Sequence, residues 1–222
     1  MAAHADLLKT TEAAVAAGVE LREVNRVIDE GILPEEFLRV DDARYVAPAG
    51  CLLIAFYFES ADQLTAKERR FVIRMAGPRL RNWTRKTDSG LATEDWTFKH
   101  KFLVVDFAPF VRTVGDRLEK LAAADKLVSS SPDVLSGTPV VKGTRIPVHD
   151  VAASVEAGLP KKRILAAYPS LNSDKIDLAV LYAKANPVRG RPRGTAMLPA
   201  GAVILADRRT PRRRKANEVP RR

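Results

Sequence analysis

Cysteine is almost absent. Cys51 is the sole one in 222 residues, which excludes an internal disulfide and any cysteine-based zinc cluster and suits a reducing cytoplasm. Histidine is scarce as well. His4, His100 and His149 have no ligand partners at metal spacing. No apolar run approaches the ~20 residues of a membrane helix, and the most apolar stretch, Cys51 to Phe58, is far too short. Met1 to Asp6 lacks a basic region followed by an apolar core, so no signal peptide is expected. There is no nucleophile-elbow motif and no Walker loop. The Gly-Arg-Pro-Arg-Gly at 190–194 lacks the strand and helix that a dinucleotide loop requires. His149 and Asp150 are neighbours on an expected helix, where successive side chains point roughly 100° apart, so they do not form an acid–base pair. The chain reads as a non-enzyme with no cofactor, no catalytic residue and no metal ligand.

Acidic residues are also missing where basic ones gather. The net charge is +10. From Val188 to Arg222, eleven Lys and Arg face two acids, Asp207 and Glu218, so +9 sits in this tail and about +1 in everything before it. An acidic partner is implied for the tail: nucleic acid phosphates or a carboxylate-rich protein site. Its prolines and glycines (Gly190, Pro192, Gly194, Pro199, Gly201, Pro211, Pro220) cannot build a core, and disorder is expected. One apolar run, Ala202-Val203-Ile204-Leu205-Ala206, lies just before Arg208, Arg209, Arg212, Arg213 and Arg214. A short β-capable run beside an arginine cluster suits folding on a protein partner. A tail that only lies on DNA has little need of Val203, Ile204 and Leu205.

What is present is helical periodicity interrupted by short β-prone pieces, an α+β pattern that is mainly helical. Leu7–Pro34 reads as a helix-turn-helix. Thr10 or Thr11 can cap the first helix, Gly18-Val19-Glu20 is the turn, and Leu21–Glu30 is the second helix. Leu21, Val24, Val27 and Ile28 fall on one face. Arg22, Asn25, Arg26 and Asp29 share the other at i, i+3, i+4 and i+7. Such a face can enter a major groove, where Arg reads guanine and Asn reads adenine; alternatively it is a solvated helix face. Phe37–Val40 and Ala43–Val46 then form a two-stranded wing that carries Arg39 and Arg44. Pro48–Glu59 is expected to be a buried helix. Thr65 and Glu68 make a capping box for Ala66–Ala76, which Gly77-Pro78 should end. Trp96–Val105 alternates as one half-buried strand, with Trp96, Phe98, Phe102 and Val104 inward. Asp106 can cap the helix that follows. Its stripe of Val111, Val114, Leu118 and Leu121 packs internally or against a second copy of the chain.

Further on, Pro139–Val141 and Ile146–Val148 flank Lys142-Gly143-Thr144-Arg145, where Gly143 permits a tight hairpin turn. Helices are expected at Val148–Glu156, Lys161–Ala167 and Ser173–Ala185, the last capped by Ser173. Arg145 and Asp150 are expected to pair locally and fix the turn. Lys161, Lys162 and Arg163 crowd the start of the short middle helix and suit phosphate contacts. The organisation is therefore 1–60 as a winged helix-turn-helix, 61–126 as a connector that could assist dimerisation, 127–187 as a small helix-turn-helix domain, and 188–222 as the basic tail.

Two resemblances bear on this pattern. Pro132 to Val148, read Pro-Asp-Val-Leu-Ser-Gly-Thr-Pro-Val-Val-Lys-Gly-Thr-Arg-Ile-Pro-Val, resembles the signature of the small helix-turn-helix family catalogued as domain of unknown function 433. Ala157-Gly158-Leu159, Tyr168-Pro169-Ser170-Leu171 and Ile176 also fit that pattern. The resemblance implies a VapB-like antitoxin encoded beside a PIN-like (VapC-type) ribonuclease toxin. The operator DNA would be bound by the helix-turn-helix units as a homodimer, and the toxin by the tail. The glutamate and alanines at 12–14, Gly18-Val19, Ile28 to Pro34 and Arg44-Tyr45 resemble the MerR and excisionase group of winged helices. Two other readings stay open: a stand-alone transcriptional regulator whose tail grips phosphates, and an adaptor that uses 127–187 for protein contacts. Which helix-turn-helix unit touches DNA is not legible.

Overall fold

Helix and strand boundaries follow from where the chain can bury apolar side chains and cap its ends. The computed structural model describes residues 7–81, 83, 95–100 and 102–188. The tail arginines and the Val203-Ile204-Leu205 run lie outside the described residues. The architecture is α+β and mainly helical, with eight α-helices and seven short strands among the described residues.

The chain opens with β1 (Leu8–Lys9), α1 (Thr10–Ala17) and α2 (Leu21–Asp29). Lys9, rather than a threonine, is the N-cap of α1, and the Glu12 carboxylate accepts from its N–H at 2.8 Å. Glu23 does the same for Glu20 at the start of α2. Between the helices Gly18 adopts φ +74°, a left-handed turn that glycine takes without strain. Arg117 crosses this turn and donates to the Ala17 carbonyl at 2.9 Å. Val24 and Val27 carry the apolar face of α2. Leu21 does not join them and stays 40% exposed, because it sits in the first turn, beyond the core that Val24 and Val27 fill.

The expected wing is present as β2 (Leu38–Val40) and β3 (Arg44–Val46). It belongs to a three-stranded antiparallel sheet of order β1-β3-β2, in which Leu8 and Leu38 both face Val46. α3 (Pro48–Glu59) is buried almost all round, with Leu52, Leu53, Ile54 and Phe56 at or near zero exposure. Phe56, Phe107 and Phe110 interlock at 4.8–5.7 Å between ring centroids. The Thr65/Glu68 capping box opens α4 (Ala66–Leu80). The Gly77-Pro78 pair does not end α4. The helix runs on to Leu80, whose burial holds the last turn against the core, and Arg81 N–H still reaches the Gly77 carbonyl at 3.0 Å.

Residues 97–100 and 103–106 pair as two strands, not one. β4 (Thr97–His100) pairs antiparallel with β5 (Leu103–Asp106), and the chain reverses between His100 and Leu103. The reversal breaks the expected alternation. Trp96 and Phe98 are buried as expected, but Phe102 is 102% and Val104 60% exposed, while Leu103 and Val105 turn towards the core. Asp106 accepts from Ala108 N–H at 2.8 Å where α5 (Ala108–Leu127) begins. Val111, Val114, Leu118, Leu121 and Ala124 are buried within the chain itself, against α1, α3 and α8 (Ser173–Ala185).

In the last third, β6 (Val128–Ser129) pairs with β7 (Val140–Val141). The return of the expected hairpin is a single bridge, Val140 to Pro147, because Val148 already starts α6 (Val148–Glu156). Arg145 and Asp150 form no ion pair. Thr144 fixes this turn, donating its hydroxyl to the Val141 carbonyl (2.7 Å) and accepting from Ile146 N–H (3.1 Å). α7 (Lys161–Ala167) follows, and Asn172, not Ser173, caps α8 by accepting from Lys175 N–H. Val141, Val148, Val151, Ile164, Leu171, Ile176 and Ala179 make a second, smaller core. α8 serves both cores. Its Ile176 and Ala179 enter the second, whereas Ala185 enters the first.

Candidate nucleic-acid interface

The polar face of α2 meets solvent because its opposite face is spent on Val24 and Val27. Arg22 and Arg26 are exposed and Asn25 is half-buried. The wing lies beside this helix, not apart from it: Arg44 of β3 contacts Asp29 of α2 at 2.8 Å. Five residues singled out in the sequence (Arg22, Asn25, Arg26, Arg39 and Arg44) therefore lie on two adjoining elements. Arg39 pairs with Asp41. The wing tip carries Asp41 and Asp42, and with Leu7, Arg39, Ala43 and Tyr45 they line a cleft of about 360 Å³. Cationic contact from the wing thus comes from its strands, since the tip itself is acidic.

Two acids set the posture of the α2 and β3 arginines. Glu30, just past the end of α2, accepts from Arg26 at 2.8 Å and from Arg70 of α4 at 3.2 Å. The hydrogen bond from Arg26 is the main reason that its carboxyl is held below the usual range, with Arg70 adding to the effect. Asp29 holds Arg44. Exposed pairs of this kind contribute little stability, but they orient guanidinium groups that would otherwise sample many rotamers. The sequence reading missed Glu30, Arg70 and Arg74. A signal was available: Lys67, Arg70 and Arg74 recur at i, i+3 and i+7 on α4, one cationic stripe on a single helix face. Arg70 and Arg74 lie with Gly31, Ile32 and Pro34 around a second cleft, so this stripe adjoins the end of α2.

The other predicted cluster is built differently. α7 is seven residues long. Lys161 is tied to Asp177 at 2.6 Å and to the Ser173 hydroxyl at 3.4 Å, both on α8. Lys162 and Arg163 are exposed. Among the described residues, no β-hairpin flanks this cluster as the wing flanks α2. Among the described residues no group of three His, Cys, Asp or Glu could hold a metal ion, and no helix is long and apolar enough to cross a membrane.

Fold and surface together define an α+β helix-turn-helix protein with solvent-facing cationic helices. Residues 128–183 match the family model described as "Protein of unknown function (DUF433)". The chain is 56% identical over 215 residues, 97% of each chain, to "Uncharacterized protein y4eO" of Sinorhizobium fredii (strain NBRC 101917 / NGR234), and it belongs to the same family as that protein. No solved structure matches it significantly. The matched segment stops before Ala185, the residue through which α8 joins the first core.

Proposed function

We propose that the protein is the antitoxin of a type II toxin–antitoxin pair that binds its own operator through α2 and the wing. One observation carries the DNA part. Arg22, Asn25 and Arg26 stand on the open face of a nine-residue helix, with Arg44 of the wing joined to that helix through Asp29. A helix of this kind in the major groove presents Arg to guanine and Asn to adenine, while the wing cations meet the backbone. α7 adds Lys162 and Arg163 as phosphate contacts without base readout.

The antitoxin part is supported by the resemblance of residues 132–148 and by the composition of the tail. A PIN-like ribonuclease holds Mg²⁺ or Mn²⁺ in a carboxylate cluster. A guanidinium from Arg208, Arg209, Arg212, Arg213 or Arg214 makes bidentate, charge-assisted contacts with carboxylates and can take the place of the metal. Val203-Ile204-Leu205 supplies the apolar anchor. The test is co-purification of the neighbouring gene's product with the full chain and with a chain ending at Asn186. The reading expects the full chain to capture and silence a ribonuclease and the shortened chain to fail. Retained silencing without the tail would overturn it. A stand-alone regulator would instead bind the upstream DNA and capture nothing, and loss of the tail would flatten the salt dependence of its DNA affinity.

A further inference from the structure

A two-stranded ribbon with a fully exposed phenylalanine at its tip calls for a partner. Phe102 is 102% exposed where the chain turns from β4 into β5. Behind it lies an apolar cleft of about 340 Å³ between the ribbon (His100, Phe102, Leu103) and α4 (Lys67, Phe71, Arg74). Phe71 and His100 line it, their rings in tilted contact with centroids 4.6 Å apart. The rim is cationic. Lys67 and Arg74 flank the cleft. The one acid there, Glu68, is turned back on its own helix, accepting from the Thr65 N–H and hydroxyl at 2.8 and 2.7 Å. An apolar tip beside the α4 cations suits a polyanion with an apolar interior. A second copy of this chain would bring like charges together.

The position of the cleft strengthens this choice. Arg74 lines it and also lines the cleft at Gly31, Ile32 and Pro34, where Arg70 reaches back to Glu30 and so to Arg26 of α2. One basic band therefore runs from α2 across α4 to the tip of the ribbon. We propose that the β4–β5 hairpin is an accessory DNA contact in which Phe102 wedges between base pairs in the minor groove beside the major groove that α2 occupies. Lys67, Arg70 and Arg74 hold the intervening phosphates. Apolar wedges of this kind unstack a base step and kink the duplex by roughly 20–90°. The minor groove presents a degenerate pattern, and a ribbon tip built from Phe102 needs no polar readout. This inference rests on the operator-binding reading above.

The experiment uses the full chain and a duplex of about 30 bp from the region that it protects upstream of its own gene, with a donor and an acceptor dye at the two ends. Energy transfer reports bending and anisotropy reports affinity. The wild type should shorten the end-to-end distance. Phe102→Ala, which removes no core contact, should bind about tenfold more weakly and leave the duplex straight. Lys67→Ala with Arg74→Ala should lower the slope of log affinity against log salt by about 2. Undiminished bending by Phe102→Ala, or binding by the wild type without bending, overturns the wedge but leaves the operator reading standing. Absence of any wild-type binding defeats both. If Phe102→Ala leaves DNA behaviour unchanged and instead alters the sedimentation mass or the capture of the ribonuclease, the ribbon faces protein and the proposal falls.

Discussion

The chain contains two helix-turn-helix segments, and they are not equivalent. The first, α1 and α2 with its wing, stands on a large core built around α3 and its aromatic neighbours. Its polar face is braced by Asp29 and Glu30, which reach the wing and α4. The second, α6 to α8, stands on seven buried side chains. Its cationic helix is a short one, with Lys161 committed to Asp177. A helix that must read bases needs rigid support and side chains of fixed direction. In the first segment Arg26 and Arg44 are held in this way, by Glu30 and Asp29. The second has a different asset: α8 is also a wall of the first core, so the two segments share one helix.

That coupling sets the largest expected effect. Phe56→Ala empties the aromatic centre of the first core and should cost about 4 kcal/mol, read by urea unfolding. Since α8 lies across both cores, the second segment should melt in the same transition. A separate transition for the second segment would break the comparison. Ile176→Ala, in the smaller core, should cost about 3 kcal/mol and lower the midpoint. Below that midpoint operator affinity should remain within a few-fold of wild type, roughly 1 kcal/mol or less, since α2 is untouched.

Gly18→Ala acts on the first segment alone. An added Cβ would strain φ +74° and collide with the Arg117 guanidinium, which must then release the Ala17 carbonyl. A loss of about 1–2 kcal/mol is expected. Arg117→Ala in the same chain should remove the collision but not the backbone strain, so rescue should be partial.

The smallest effect at neutral pH concerns Cys51. Burial pushes its thiol from 9.0 up to about 12. The unfolded chain ionises this thiol first, so its contribution to stability should be flat below pH 9 and fall as pH rises from there towards 12. Cys51→Ala should remove part of that alkaline slope. The native thiol should also resist alkylation at pH 8 until the chain unfolds, a check on the tightness of the first core.

Much of this was legible. Caps and periodicity placed α3, α6, α7 and α8, and the start of α4, close to their true limits, because Pro48, the Thr65/Glu68 box and Asn186-Pro187 leave the chain few alternatives. The β4–β5 hairpin was not legible. Its turn carries no glycine or asparagine, and the alternation of Trp96, Phe98, Phe102 and Val104 with Thr97, Lys99 and Lys101 imitates one strand. The extension of α4 through Pro78 came from tertiary burial of Leu80, which no local signal reports. Arg22, Asn25 and Arg26 could be found from spacing. The grouping of Arg26, Glu30, Arg70 and Arg74 could not, since it joins residues on two helices far apart in sequence.

The central claim is that α2 reads operator sequence while α7 only adds phosphate contacts. The direct measurement is the ratio of operator to random-DNA affinity at fixed salt for two variants. Arg22→Ala, Asn25→Ala and Arg26→Ala together should collapse the ratio by about a hundredfold or more. Lys162→Ala with Arg163→Ala should weaken both affinities alike and leave the ratio unchanged. A ratio that survives the first set and collapses with the second would contradict the claim and place the reader on the second segment.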